Sequence, residues 1–171
     1  MKAKVLVAGI GNIFLQDDGF GVEVAHRLSA ENLPATVRVA DFGIRGIHLA
    51  YELLEREYDL TVLVDAIVRG DKPGTLYLVE PDLKGLQAMG EVAADAHSMT
   101  PQHVFQLLNS LGGSPGRVLI VGCEPLETEE GIGLSEPVAG AVEEAVKLVR
   151  EVVSREASPI AETEQGRKAG T

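Results

Sequence analysis

Acidic side chains follow each predicted buried strand of this chain, at the point where the strand ends. In chain order, these acids are Asp17 and Asp18 after the first apolar run, Asp41 after the second, Asp65 after the third and Glu124 after the last. In an open α/β sheet, ligands bind beyond the carboxyl ends of the parallel strands. We therefore expect an acidic crevice at this edge of the sheet.

Three of the side chains in these loops are natural metal ligands, namely Asp18, Asp65 and His97. Two carboxylates and one imidazole leave coordination positions open, as in catalytic sites, and they suit borderline divalent ions such as nickel or zinc. Simpler roles stay open for each residue. Asp65 could cap a turn, Asp18 could be a solvated acid at a helix start, and His97 could be a loop histidine bonded to backbone.

A dinucleotide site is a weaker interpretation of the first loop. Gly9-x-Gly11 follows a predicted strand, as in the dinucleotide-binding fingerprint, but Phe14 stands where the third glycine belongs. The same loop also places two carboxylates where a pyrophosphate needs backbone amides and no negative charge.

A thiol nucleophile is also disfavoured. Cys123 is the single cysteine and follows a buried strand, and His97 would have to be its base. The adjacent Glu124 raises the pKa of a thiol and reduces its thiolate fraction. A buried, inert cysteine is the better interpretation.

The elements that must position these residues alternate between strands and helices. Apolar runs predict buried strands over Val5–Ala8, Val37–Ala40, Leu60–Val64 and Val118–Val121, and an alternating antiparallel or edge strand over Thr75–Val79. Helical spacing predicts helices over 20–28, 47–54, 101–111 and 135–153. This alternation is typical of an α/β fold with three layers, in which a twisted, mostly parallel sheet has helices on both faces.

Length and charge limit the classes of function. A chain of 171 residues predicts one domain, which we place at residues 1–153, followed by a flexible C-terminal tail at 154–171 that has no apolar periodicity. The 15 basic and 26 acidic side chains give a net charge of −11, which argues against nucleic-acid partners and anionic membranes. No apolar run is typical of membrane insertion or of a signal peptide, so we expect a cytoplasmic protein.

Six motifs in collinear order over about residues 4–153 resemble those of the hydrogenase maturation proteases. These endopeptidases trim the C-terminal extension from the large subunit of nickel-iron hydrogenases. The motifs are Gly9-Ile-Gly11-Asn12 with Asp17-Asp18-Gly19-x-Gly21, Asp41-x-Gly43-x-x-Gly46, Val64-Asp65-Ala66, Asp95-Ala-His97-Ser-Met-Thr-Pro, Gly122-Cys-Glu-Pro125 and Ile132-Gly-Leu-Ser-Glu-Pro137.

The resemblance implies that Asp18, Asp65 and His97 are the metal-contacting and catalytic residues. It implies that the substrate is a nickel-loaded large-subunit precursor, with the nickel supplied by that substrate or another divalent ion such as zinc or cadmium in its place. The metal would polarise the scissile carbonyl, or one of the aspartates would act as general base, so that metal-assisted and aspartic-type mechanisms both stay open. A non-cleaving, nickel-checking binding protein of the same fold is the alternative.

The second motif supplies candidate substrate-binding residues, namely Asp41, Gly43, Arg45 and Gly46. Arg45 could hold a peptide carbonyl or could pair with Asp41, and the pairing is the favoured interpretation.

Overall fold

A five-stranded sheet forms the centre of the molecule, which is described by a computed structural model over residues 4–82 and 101–157. The strands are β1 (Val5–Ile10), β2 (Val37–Gly43), β3 (Leu60–Ala66), β4 (Leu76–Val79) and β5 (Arg117–Cys123). Their order is β2-β1-β3-β5-β4, and only β4, at one edge, runs antiparallel to its neighbour. The predicted mostly parallel sheet and its antiparallel edge strand are confirmed.

Helices cover both faces of the sheet. They are α1 (Phe20–Ser29), α2 (Gly46–Glu55), α3 (Pro101–Ser110), α4 (Glu136–Ala139) and α5 (Val142–Ala157). Val5 and Val7 of β1 pack with α1, α4 and α5, whereas Leu6 and Ala8 pack with α2 and α3. This alternation follows from the two-residue period of a strand and gives three layers. Within the described ranges, no helix combines the length and the apolar character that crossing a membrane requires.

Two elements differ from the sequence-based expectation. Strand β2 continues past Ala40 to Gly43, so Asp41 lies within the strand instead of following it, and the register shifts where Ile10 pairs with Gly43. The expected single helix over 135–153 is broken at Gly140, a residue of low helix propensity.

The last helix also extends further than predicted. Helix α5 ends at Ala157, so residues 154–157 of the predicted tail are helical. Arg117 at the start of β5 forms a 2.6 Å ion pair with Glu156, which ties this last turn to the sheet.

The order of the strands creates a crevice between β1 and β3. Within the sheet, β1 has β2 as its neighbour on one side, to which the chain continues, and β3 as its neighbour on the other side. The loops that follow β1 and β3 therefore diverge at their carboxyl ends, which is where ligands bind in open α/β sheets. Asp18 lies in the first of these loops and Asp65 near the end of β3.

Candidate active site

Asp18 and Asp65 come together at the crevice between β1 and β3. Asp18 lies in a 3₁₀ turn, Gln16–Gly19, directly before α1. Gly11 lies between the two aspartates, because a Cβ built on it would collide with the backbone carbonyl of Asp18 and would lie 3.7 Å from Oδ1 of Asp65. The two carboxyl groups are also close enough for the charge of Asp18 to act on Asp65.

Each of these two carboxyl groups accepts one backbone hydrogen bond. The N–H of Asn12 donates to Oδ2 of Asp18 at 2.8 Å, and the N–H of Ala66 donates to Oδ1 of Asp65 at 2.8 Å. No described donor reaches the second oxygen of either carboxyl group. Both side chains are half-buried, so Asp18 is not the fully solvated acid of the simpler interpretation. The described bond to Asp65 comes from the next residue within β3 and not from a turn that follows the strand.

Asp65 is unfavourable as an anion in this position. Its burial raises the pKa of the carboxyl well above the ordinary value of 3.8, the nearby Asp18 charge raises it further, and the bond from Ala66 lowers it only in part. Two neighbouring carboxyl groups with one raised pKa bind a shared proton or a cation in preference to carrying two uncompensated charges.

His97, the third predicted metal ligand and catalytic residue, lies outside the described residues, as does Asp95. Within residues 4–82 and 101–157, no group of three or more histidine, cysteine, aspartate or glutamate side chains could hold a metal ion. The described part of the site therefore offers two carboxylates, a donor set that fits a divalent cation whose other ligands come from elsewhere.

Two glycines of the first motif set the position of the turn that carries Asp18. A Cβ on Gly9 would collide with the backbone oxygen of Gly21 and lie 2.7 Å from the Cβ of Ala25. A Cβ on Gly21 would collide with the carbonyl oxygens of Ile10 and Val64. Helix α1 thus packs directly on the backbone of β1 and β3, which places the preceding turn over the ends of both strands.

Asp17 does not belong to the crevice, contrary to the expectation for the first loop. Its side chain is fully buried and accepts hydrogen bonds from the N–H groups of Leu126, Glu127 and Ser135 and from the hydroxyl of Ser135. Burial alone would raise the pKa of Asp17, but these four bonds outweigh it and lower the pKa below its ordinary value. Sequence reasoning missed this role. The one available signal was that two adjacent aspartates seldom point in the same direction, so that one of them had to face away from the crevice.

Glu124 also faces inward. It is 3% exposed, and its carboxylate accepts bonds from the N–H groups of Arg69 and Asp71 and from the hydroxyl of Tyr77. Burial opposes ionisation, yet these donors lower the pKa of Glu124 overall. This carboxylate holds the loop between β3 and β4 and does not add charge to the crevice.

Cys123 fits the prediction of an inert thiol. It is fully buried in the core beside α4 and α5. Burial raises the pKa of the thiol to about 11, and the charges of Asp17 and Glu124 contribute. Because the thiolate is the nucleophilic form, Cys123 is unsuited to catalysis near neutral pH.

The favoured pairing of Arg45 with Asp41 is wrong. Oδ2 of Asp41 lies 3.1 Å from Nε2 of His26 on α1, whereas Arg45 is exposed and forms no ion pair with any described residue. Arg45 precedes α2, and the chain turns away from Asp41 there. Oδ1 of Asp41 is buried and has no hydrogen-bond partner in the described part of the chain.

The glycines of the second motif connect this region to the crevice. Gly43 adopts a positive φ of 53° at the end of β2, and its carbonyl accepts a 3.0 Å hydrogen bond from the N–H of Gly11. Gly46 is buried at the first position of α2. The predicted substrate-binding residues therefore lie beside the loop that contains Asp18, on the β2 side of β1.

Taken together, the fold and the paired carboxyl groups define an α/β protein with an acidic site at the switch point of its sheet, the crevice between β1 and β3 where the loops diverge. A family model described as HycI, hydrogenase maturation protease, matches residues 22–152. A hydrogenase expression/formation protein, HupD, of Bradyrhizobium diazoefficiens is 35% identical to this chain, covering 95% of this chain and 88% of its own length. The chain therefore belongs to the hydrogenase maturation protease family, and its role is in hydrogenase maturation.

Solved structures agree with this assignment. The crystal structure of a hydrogenase 2 maturation peptidase from a Thaumarchaeota archaeon is similar, with a TM-score of 0.68 and 32% identity over 88% of this chain and 98% of that one. A [NiFe] hydrogenase maturation protease, HycI, from Thermococcus kodakarensis has a TM-score of 0.71 and 27% identity over 90% of this chain and 94% of that one.

Proposed function

We propose that this protein is an endopeptidase that removes the C-terminal extension from a nickel-loaded precursor of a nickel-iron hydrogenase large subunit. The observation that carries this proposal is the pair of Asp18 and Asp65, each with one oxygen that accepts no described hydrogen bond. Family membership supports the substrate class, because a protease that matures hydrogenases acts on a hydrogenase precursor.

Asp18, Asp65 and His97 would contact a divalent ion, which is nickel carried by the precursor, with zinc or cadmium able to take its place. Carboxylate and imidazole ligands suit such borderline ions. A bound divalent ion supplies Lewis acidity to a carbonyl oxygen and lowers the pKa of bound water.

Asp65 is the proposed general base. A base works best when its pKa lies near the pH of the reaction, and burial together with the charge of Asp18 raises the pKa of Asp65 in that direction. Its carboxylate would take a proton from the attacking water and pass that proton to the leaving amine. Asp18, fixed by the N–H of Asn12, would orient the cation or the water.

Asp41 and Arg45 are proposed to contact the precursor. The buried Oδ1 of Asp41 has no hydrogen-bond partner among the described residues, and a buried acceptor without a hydrogen bond is costly unless a donor arrives. A backbone N–H of the bound peptide could supply that donor. Arg45 is exposed beside the same loop and is free to hold a peptide carbonyl.

A cleavage assay with two forms of the precursor tests the proposal. Purified nickel-loaded and nickel-free large-subunit precursors are incubated with the protein, and the loss of the extension is followed by electrophoresis. We expect the nickel-loaded form alone to be shortened. Equal cleavage of both forms would refute nickel dependence, and cleavage of neither would favour the nickel-checking binding protein. A cytoplasmic location and the absence of nucleic-acid partners stay predictions.

A further inference from the structure

We propose that Asp17 is a positioning residue for Asp18, because its buried carboxylate fastens the turn that carries Asp18 to the segment at residues 126–135. The inference rests on the proposed role of Asp18 in cleavage. Asp17 itself is fully buried, and its described side-chain hydrogen bonds go to the 126–135 segment and not to the crevice.

The donors to the Asp17 carboxylate within the described residues come from one distant part of the chain. Oδ2 accepts bonds from the N–H groups of Leu126 and Glu127, both at 2.9 Å, and from the hydroxyl of Ser135 at 2.8 Å. Oδ1 accepts a 2.7 Å bond from the N–H of Ser135. A single carboxylate thus holds both ends of the 126–135 segment.

Backbone hydrogen bonds join the same two parts of the chain as these side-chain bonds. The N–H of Asp17 donates to the carbonyl of Glu127 at 3.0 Å, and the N–H of Gln16 donates to the carbonyl of Gly131 at 3.0 Å. In the opposite direction, the N–H of Gly131 donates to the carbonyl of Phe14 at 2.9 Å. The turn is therefore attached to the 126–135 segment by its backbone as well as by the Asp17 side chain.

Gln16 shows that this attachment carries a conformational cost. It has a φ of 50°, and it is the one described residue other than glycine with a positive φ. Such a conformation is unfavourable for a residue with a side chain and persists only where the surroundings enforce it. The contacts of Asp17 contribute to that enforcement together with the backbone bonds to Gly131, so their loss would let the turn relax in part and would move Asp18.

The side chain of Asp18 is held by few described contacts of its own. Its carboxylate accepts one described bond, from the N–H of Asn12, so its direction depends on the turn. A displacement of about 1 Å in a catalytic group can reduce a rate by about 100-fold. The position of Asp18 thus depends in part on contacts between Asp17 and a segment 109 to 118 residues away along the chain, beside the packing of α1 on β1 and β3.

The variant Asp17→Asn tests the proposal, because asparagine has the same size but presents an NH₂ group to donors that need an acceptor. We expect kcat for cleavage of the nickel-loaded precursor to fall about 100-fold with KM little changed. Ser135→Ala removes the hydroxyl donor alone and should cause a smaller loss of kcat.

Glu52→Gln is the matched control. Glu52 lies near the end of α2 and accepts a bond from the hydroxyl of Tyr58 at 2.7 Å and an ion pair from Arg38 at 3.1 Å. This variant also loses the bonds of a half-buried carboxylate, but near the amino ends of β2 and β3, at the far end of these strands from the crevice. It should lower the unfolding temperature and leave kcat unchanged.

Hydrogen exchange at the N–H of Asn12 gives a readout that does not need activity. Asp17→Asn should accelerate exchange at Asn12, because Asp18 no longer accepts its bond, while amides in β1 and β3 stay protected. Unchanged kcat, or unchanged exchange at Asn12, would overturn the proposal. If Asp18→Asn cleaved normally, the proposed function would fail instead, and exchange at Asn12 would still decide whether Asp17 positions Asp18.

Discussion

Two adjacent aspartates of the first loop do different work because their partners differ. Asp17 accepts four hydrogen bonds in a fully buried position, which stabilises its charge. Asp18 accepts one described bond and lies in a crevice with Asp65, whose pKa is raised by burial and by the charge of Asp18. Buried charges without compensation are costly, and such sites are where proteins bind cations or move protons.

Replacement of Asp65 by asparagine should stabilise the fold while it abolishes cleavage. Asparagine keeps an oxygen for the N–H of Ala66 and carries no charge beside Asp18. The raised pKa means that the folded state binds a proton which the unfolded state has released above about pH 3.8. Stability of the native chain therefore falls as the pH rises from 3.8 through the folded-state pKa.

Urea unfolding in the presence of a chelator checks this expectation. The free energy of unfolding of Asp65→Asn should exceed that of the native chain at pH 7, and the difference should close as the pH falls towards 3.8. A native chain that is more stable than the variant at pH 7 would show that the Asp65 charge is compensated.

Sequence reasoning at this scale succeeded where a residue's chemistry depends on its own element. Cys123 at the end of an apolar strand was predicted to be inert, and it is buried with a raised pKa. It failed where partners are far apart in the chain. The bond that the N–H of Ser135 donates to Asp17 and the pairing of Asp41 with His26 depend on the folded arrangement, which no local pattern encodes.

At the scale of elements, the strands were predictable because both faces of a buried parallel strand must be apolar. The runs in β1, β3 and β5 show this, and the alternation in β4 correctly indicated an edge strand. Boundaries were less predictable. Asp41 was placed after β2, but the strand continues because its backbone keeps pairing with β1 across a local irregularity.

Gly11→Ala tests how the β1 loop supports the site. Gly11 has a φ of 137°, and a Cβ there would collide with the carbonyl of Asp18 and approach Oδ1 of Asp65. We expect loss of cleavage and a decrease of about 2 kcal/mol in the free energy of unfolding. Urea unfolding and the precursor assay measure the two effects.

Gly112→Ala is the control for backbone strain alone. Gly112 follows α3 with a φ of 85°, and a Cβ there meets no heavy atom within 4 Å. It should cost about 1 kcal/mol of stability and leave cleavage intact. Full cleavage by Gly11→Ala would show that the β1 loop does not set the geometry of the site.

For the whole molecule, the acids in the loops that follow the strands, a small part of the 26 acids behind the net charge of −11, divide into structural and functional carboxylates. Asp17 and Glu124 are buried and satisfied by loop amides, so they do not contribute to the crevice. The acids left at the switch point are Asp18, Asp65 and, beside them, Asp41. The fold therefore brings these carboxyl groups together where the loops after β1 and β3 diverge.

Mass spectrometry of the nickel-loaded precursor tests the central claim most directly. The precursor is incubated with the native protein, with Asp18→Asn, with Asp65→Asn, and with Asp59→Asn as control. Asp59 precedes β3 at the opposite end from Asp65, and its carboxylate accepts the N–H of Lys4 at 2.7 Å. We predict release of the C-terminal peptide by the native protein and Asp59→Asn and none by the other two variants. Normal release by Asp18→Asn or Asp65→Asn would contradict the assignment of this pair as the catalytic site.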